Sequence, residues 1–150
     1  MVLKTDIQGL LIYGAMVAYI VAFVGYLRRR RIGVGAHAFA FGLAVAAVLY
    51  RAFDAGHVPL QSMFEIFLCL GMLSFPVAAF CRRGLRVGGE GADAVLGFIL
   101  LFPAGFVFSA DTRRLPPALQ SWLFVPHVGA YMLGYTIMAK AAVHAGWCLA

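Results

Sequence analysis

Five apolar runs occupy most of this 150-residue chain, at about 10–27, 37–53, 60–80, 94–109 and 122–149. A helix that crosses a bilayer needs roughly 20 predominantly apolar residues, and the two shortest runs reach this length with a few flanking residues. No run alternates between apolar and polar residues as a barrel strand does, and helices are the only other structure that spans a bilayer. The sequence therefore predicts an all-α, polytopic membrane helix bundle with about five transmembrane helices.

Composition excludes a soluble domain and a nucleic-acid-binding protein. Hydrophobic residues make up 63% of the chain and charged residues 12%, whereas about a quarter of the residues of a soluble domain are charged. The net charge is +6, but seven of the 12 basic residues lie in two short connections between apolar runs. There they indicate topology and do not form a basic surface for DNA. No linker or internal repeat divides the chain, so residues 1–150 are expected to form one domain.

The three cysteines are expected to be small buried hydrophobic residues. Cys69 and Cys148 lie within apolar runs, Cys81 ends one, and no two of them form a Cys-x-x-Cys pair. An odd number of cysteines at such positions argues against a disulfide framework or a zinc site.

The arginine-rich connections predict the orientation of the bundle. Four arginines at 28–31 fall in the first connection, and Arg82, Arg83 and Arg86 fall in the third, on the same side. The positive-inside rule places that side in the cytoplasm. The loops at 53–59 and 110–126 then face outward, so the candidate chemistry is expected on the extracytoplasmic face.

His127, at the start of the last helix, is the first candidate for a ligand-binding residue. Residues four apart share one face of a helix, so Tyr131, Tyr135 and Met138 continue its stripe. An imidazole beside an aromatic and polarisable surface suits a flat macrocycle. The alternative is a helix–helix contact in which small residues allow close approach. Those small residues are Gly129 and Gly134.

The start of the third apolar run, at 56–65, is the second candidate region. Glu65 lies within that run, and an ionisable residue at such a depth usually faces the bundle interior or a partner. It either accepts hydrogen bonds from a neighbouring helix or loop amide or serves a ligand. His57 is a candidate ligand, gate or loop residue.

Three arginines lie near both histidines in depth, namely Arg51, Arg113 and Arg114. The arginine fork matches a carboxylate in two-point contacts, so they either hold carboxylates of a ligand such as haem propionates or anchor the chain at the interface. Toward the opposite end of the last helix, Lys140 is expected to snorkel. His144 is expected to be a packing or interfacial residue.

Two segments of the chain carry extended motifs. Residues 50–65 read YRAFDAGHVPLQSMFE. This segment resembles the Arg-Trp and Gly-His-Phe-Pro-Leu-Ser-Asn-Leu-Tyr-Glu-Ser pattern of the CcsA family, which is called ResC in some bacteria and is related to CcmC. Residues 115–135 read LPPALQSWLFVPHVGAYMLGY and are similar to its Pro-Ala-Leu-Gln-Ser-x-Trp-Leu-x-x-His-Val-x-x-x-x-Leu-Gly-Tyr pattern. The family's Trp-rich tract and its second flanking histidine are missing, so the chain resembles the N-terminal half of such a protein, truncated or split.

The resemblance implies a cytochrome c-type biogenesis protein of the bacterial inner membrane. Such a protein handles haem b and presents it at the extracytoplasmic face for covalent attachment to apocytochrome c. It works with a CcsB/ResB-type subunit as part of a cytochrome c synthetase, in contact with membrane lipid and not with nucleic acid, and it is not expected to be active alone. His127 corresponds to the first of the family's two haem-flanking histidines and is the expected metal ligand.

Five further residues are expected at the haem site, with the arginines near the propionates and the aromatic residues in the wall. They are Trp122, Tyr131, Arg113, Arg114 and His57. An alternative from a different class is a non-catalytic membrane scaffold or small transporter in which His57 and Glu65 line a polar pathway.

Overall fold

A computed structural model describes residues 6–110 and 123–149, without the side chains of residues 147 and 148. These residues form five α-helices and no strand. The helices are α1 (Ile7–Arg28), α2 (Arg30–Ala55), α3 (Met63–Gly84), α4 (Glu90–Phe106) and α5 (Phe124–Leu149). Each overlaps one of the apolar runs of the sequence, so the prediction of an all-α helix bundle is confirmed.

Three of the described helices, α1, α2 and α3, are long and apolar enough to cross a membrane, with mean hydropathies of 2.1, 2.0 and 2.0. The fourth helix has 17 residues, which corresponds to about 26 Å at the rise of an α-helix. Large apolar side chains, among them Phe39, Phe53 and Phe80, are exposed on the outside of the bundle. Apolar surface of this extent is typical of a protein that contacts lipid.

The first two helices form a hairpin whose connection is a single residue, Arg29. The sequence predicts a longer arginine-rich connection, but α2 already begins at Arg30. Two glycines allow this, because a Cβ at Gly25 would lie 2.8 Å from the backbone nitrogen of Gly33. A Cβ at Gly33 would in turn lie 2.5 Å from the ring of Tyr26. Only residues without side chains permit so close a turn of one helix onto the next.

The main core lies between α1, α2, α3 and α4, where Ile12, Ala44, Phe64 and Leu101 are completely buried. The last helix packs on the outside of this core, against α3 and α4. Its inward face consists of buried residues spaced four apart, as the helical period requires. They are Met132, Thr136 and Lys140. The opposite face of α5 is left uncovered by the described residues.

Candidate functional site

Both candidate histidines lie at one end of the bundle, called here the histidine end (residues 51–65 and 123–131). It is formed by the C-terminus of α2 and the N-termini of α3 and α5. Leu60 and Met132 belong to one apolar cluster, against which Phe124 and Val128 also pack. This cluster brings the two motif-bearing segments of the sequence together in space.

Glu65 is fixed by local partners at the start of α3. Helix α3 begins with a capping box, in which the Ser62 hydroxyl accepts a hydrogen bond from the Glu65 amide at 3.3 Å. The Glu65 Oε2 atom accepts from the amides of Ser62, at 3.1 Å, and Gln61, at 2.7 Å. Its Oε1 atom accepts from Arg51 Nε at 2.9 Å. Of the two roles that the sequence left open, the structure gives Glu65 the structural one, and both of its oxygens are engaged.

Arg51 is buried inside the bundle and does not act as an interfacial anchor. Besides its bond to Glu65, its Nη1 atom lies 3.8 Å from the Asp54 carboxylate. Its guanidinium carbon lies 5.6 Å from the centroid of the Phe64 ring, within the range of a cation–π contact. The Nη2 atom is buried and has no hydrogen-bond partner among the described residues. The carboxylates around Arg51 therefore belong to the protein itself.

His57 presents one ring nitrogen without a partner. Its Nδ1 atom lies 3.0 Å from the carbonyl oxygen of Val58. Its Nε2 atom is covered and has no hydrogen-bond partner among the described residues. With the proton on Nδ1, the Val58 carbonyl accepts the hydrogen bond and the Nε2 lone pair stays free, which is how proteins hold metal-binding histidines. Gly56, with a φ of 69°, ends α2 and turns the chain toward His57.

His127 lies in the first turn of α5 and is exposed. Its ring meets that of Tyr131 edge-on, with the centroids 4.7 Å apart, and the rings of Tyr131 and Tyr135 are 6.2 Å apart. The exposed fractions of Tyr131, Tyr135 and Met138 are 54%, 59% and 68%. The stripe expected from the sequence therefore exists, and it faces away from α3 and α4.

The alternative interpretation of this helix, a close contact at Gly129 and Gly134, is not realised within the described residues. A Cβ added at either glycine would meet nothing within 4 Å. The aromatic stripe of α5 is thus an open surface with respect to the described part of the chain.

The remaining expected site residues, Arg113, Arg114 and Trp122, fall in 111–122 and lie outside the described residues. Among the residues that are described, no group of three or more His, Cys, Asp or Glu side chains could hold a metal ion. His57 and His127 are therefore single donors. A structural zinc ion needs four ligands, whereas haem iron needs one or two axial donors and an apolar wall.

The sequence analysis did not predict an array of hydrogen-bonded polar side chains that is buried in the middle of the bundle. The Tyr26 hydroxyl lies 3.3 Å from His37 Nδ1, and His37 Nε2 lies 3.5 Å from the Ser74 hydroxyl. Ser74 donates to the Tyr19 hydroxyl at 3.2 Å, and Tyr19 donates to the Gly71 carbonyl at 2.7 Å. The array ties α1, α2 and α3 together. The sequence does contain an indication of this array, because a histidine and a serine that lie within apolar runs require hydrogen-bond partners when they are buried.

The expectation that Lys140 snorkels is wrong. Lys140 is only 3% exposed, and its ammonium donates to the Asp93 carboxylate at 2.5 Å and to the Gly88 carbonyl at 3.2 Å. It shares the inward face of α5 with Thr136, so it points at the first turn of α4, where Asp93 lies. A buried charged group that cannot reach water is paired with a group of opposite charge.

Comparison with known family models, curated proteins and solved structures gives no match to this chain. The two motif segments and the geometry of the histidine end are therefore the observations from which a function can be inferred.

Proposed function

We propose that this chain is a membrane-embedded cytochrome c-type biogenesis protein, or the N-terminal half of one, that handles haem as its cargo. The haem-handling surface is the histidine end of the bundle, which by its loop charges faces outward from the bacterial inner membrane. The observation that carries the proposal is the exposed stripe of His127, Tyr131 and Tyr135 on α5. This stripe lies on the face of α5 opposite the one that packs against α3 and α4.

The stripe has the chemistry that a porphyrin requires. An imidazole supplies an axial donor to iron, and the tyrosine rings supply flat apolar area. The Tyr131 ring meets the His127 ring edge-on, with 4.7 Å between the centroids, so the imidazole and the aromatic surface are adjacent. Exposed aromatic rings in a row also have a large area to bury when a ligand or partner covers them.

His57 is the second donor at the same end. Its Nε2 atom has no hydrogen-bond partner among the described residues but is covered, so binding to iron through this atom requires the loop around it to move. By resemblance, Arg113 or Arg114 pairs with a propionate, and Tyr131 and Trp122 contribute to the wall. When bound, haem supplies the vinyl groups to which the thiols of an apocytochrome Cys-x-x-Cys-His motif add. The protein and a CcsB/ResB-type subunit supply position and orientation.

Haem retention in His127→Gly tests the proposal. The chain is co-expressed with a polypeptide that carries the Trp-rich tract and the second flanking histidine, and the complex is purified in detergent. We expect a lower Soret absorbance per protein in His127→Gly, and partial recovery when imidazole fills the vacated space. His57→Gly should have the smaller effect, because in the family it is not the flanking ligand.

The matched control is Ala130→Gly, which also introduces a glycine into the first turns of α5 at an exposed position. It lowers helix propensity by at least as much as His127→Gly does, without removing an imidazole, so its haem content should equal that of the unchanged chain. Unchanged haem content in His127→Gly with a loss in His57→Gly would move the ligand to the start of α3. Unchanged content in both variants would rule out this haem site.

A further inference from the structure

A groove of about 760 Å³ lies between α1, α4 and α5 at the arginine-rich end of the bundle. This is the end opposite the histidine end. Its walls are mainly apolar and come from all three helices. They include Phe23, Leu27, Val95, Leu96, Ile99 and Val143. The volume is in the range of pockets that bind small apolar or amphipathic ligands.

The rim of the groove carries an excess of positive charge. Arg30 lines the groove and donates to Glu90 Oε1 through Nε at 3.3 Å and through Nη2 at 3.0 Å. Arg82 also donates to the same oxygen atom. Two guanidinium groups thus share one carboxylate, and the Arg30 side chain remains 53% exposed. The neighbouring arginines at 28, 29 and 31 are exposed as well.

A second polar group faces the same region. His144 lines the groove, and its Nε2 atom is buried without a hydrogen-bond partner among the described residues. Its ring lies against Gly89, where a Cβ would be 2.4 Å from His144 Cε1. Gly89 directly precedes α4 and also lines the groove.

We propose that this groove binds a phospholipid with an anionic headgroup. The apolar walls receive an acyl chain, and the headgroup phosphate lies at the rim beside Arg30 and His144. Charge complementarity identifies the occupant, because clustered arginines beside a membrane helix attract anionic lipids. A zwitterionic lipid would place its own cation beside these arginines. This inference concerns the end of the bundle that the proposed haem site does not use. A result that contradicts one of the two proposals therefore leaves the other unaffected.

A second groove on the same molecule provides an internal control. It has a volume of about 440 Å³ and is lined by residues of α1 and α4 without any charged side chain. Val17 is one of these residues. The second groove offers acyl chains an apolar surface but offers a headgroup no partner.

Native mass spectrometry of the detergent-purified chain tests the proposal. The chain is mixed with palmitoyl-oleoyl phosphatidylglycerol or with palmitoyl-oleoyl phosphatidylcholine, and the retained lipid is counted. We expect preferential retention of phosphatidylglycerol. Val143→Trp, which fills the groove, should abolish the preference, whereas Val17→Trp should leave it unchanged. Arg30→Gln should reduce phosphatidylglycerol binding about fivefold, the contribution of one basic residue near anionic lipid, and leave phosphatidylcholine unchanged.

Several results would overturn the proposal. Equal retention of the two lipids would show that the headgroup is not recognised, and unchanged retention in Val143→Trp would show that the lipid sits elsewhere. A dimer mass that disappears in Val143→Trp would show that a second copy covers the groove. Because a groove-filling variant can fail to fold, His144→Gln provides a milder change with the same expected direction as Arg30→Gln. Unchanged selectivity in both polar variants would also contradict the proposal.

Discussion

Arg51 and Glu65 form an ion pair that is almost completely removed from solvent. The Arg51 Nε and Glu65 Oε1 atoms are 2.9 Å apart, and the two side chains are 2% and 1% exposed. The pair links the C-terminal part of α2 to the capping box of α3. It therefore fixes the loop that carries His57, so the geometry of the histidine end depends on a charge pair that does not itself contact a ligand.

Replacing Glu65 by leucine should destabilise the chain even without haem. Glu65→Leu leaves the Arg51 guanidinium buried without its main partner and two loop amides without an acceptor, at a cost of about 3–5 kcal/mol. Thermal unfolding of the purified chain in detergent measures this. Asp54→Asn is the control, since the Asp54 side chain is 58% exposed and 3.8 Å from Arg51, and it should change stability by less than about 1 kcal/mol.

Removing both charges of the Arg51–Glu65 pair should destabilise the chain less than removing the Glu65 charge alone. Arg51→Met combined with Glu65→Leu eliminates the uncompensated charge, so we expect the double variant to unfold at a higher temperature than Glu65→Leu alone. A double variant that is no more stable than Glu65→Leu would mean that the loop amides, and not the guanidinium, account for the loss.

Gly97 should not tolerate a methyl group. A Cβ at this position would lie 2.5 Å from the Ser74 hydroxyl and 2.9 Å from the Tyr19 ring, both of which are buried. Gly97→Ala should therefore separate α4 from the polar array, at a cost of about 1–3 kcal/mol. Gly42→Ala, where nothing lies within 4 Å of the added Cβ, should be neutral or stabilise α2 by about 0.5–1 kcal/mol. Equal thermal stability of the two variants would contradict the packing described at Gly97.

The Lys140–Asp93 pair should hold α5 on the bundle. Lys140→Met leaves the Asp93 carboxylate buried and unpaired, so α5 should open more often and limited proteolysis before residue 124 should release it faster. Restoring electrical neutrality with Asp93→Leu in the same chain should slow the cleavage again. Met138→Ala, on the exposed face of the same helix, should cleave like the unchanged chain.

The two ends of the bundle should be accessible from opposite sides of the membrane. In a chain whose cysteines are replaced by alanine, Val58→Cys places a thiol at the histidine end and Gly88→Cys places one at the arginine-rich end. The positive-inside rule predicts that an impermeant maleimide labels Val58→Cys in intact cells and labels Gly88→Cys only after permeabilisation. The reverse pattern would place the histidine end in the cytoplasm and would remove the topological basis of the proposed haem function.

The sequence by itself determined the five helices and the stripe on α5. Both depend on local properties, namely the length of apolar runs and the 3.6-residue period that places His127, Tyr131 and Tyr135 on one face. It also indicated that Glu65 needs a partner inside the bundle, because a carboxylate in an apolar run is costly to bury alone.

Only the tertiary structure decided which polar groups meet. Arg51 and Glu65 are 14 residues apart, and Lys140 and Asp93 are 47 apart, so their pairing depends on how helices pack and not on any local pattern. The same holds for the one-residue turn at Arg29, which follows from the contact between Gly25 and Gly33. Periodicity places a residue on a face, but the rotation of the helix in the bundle decides whether that face meets a partner or remains open. For this reason Lys140 is buried against a carboxylate while Tyr131 and Tyr135 on the same helix are exposed.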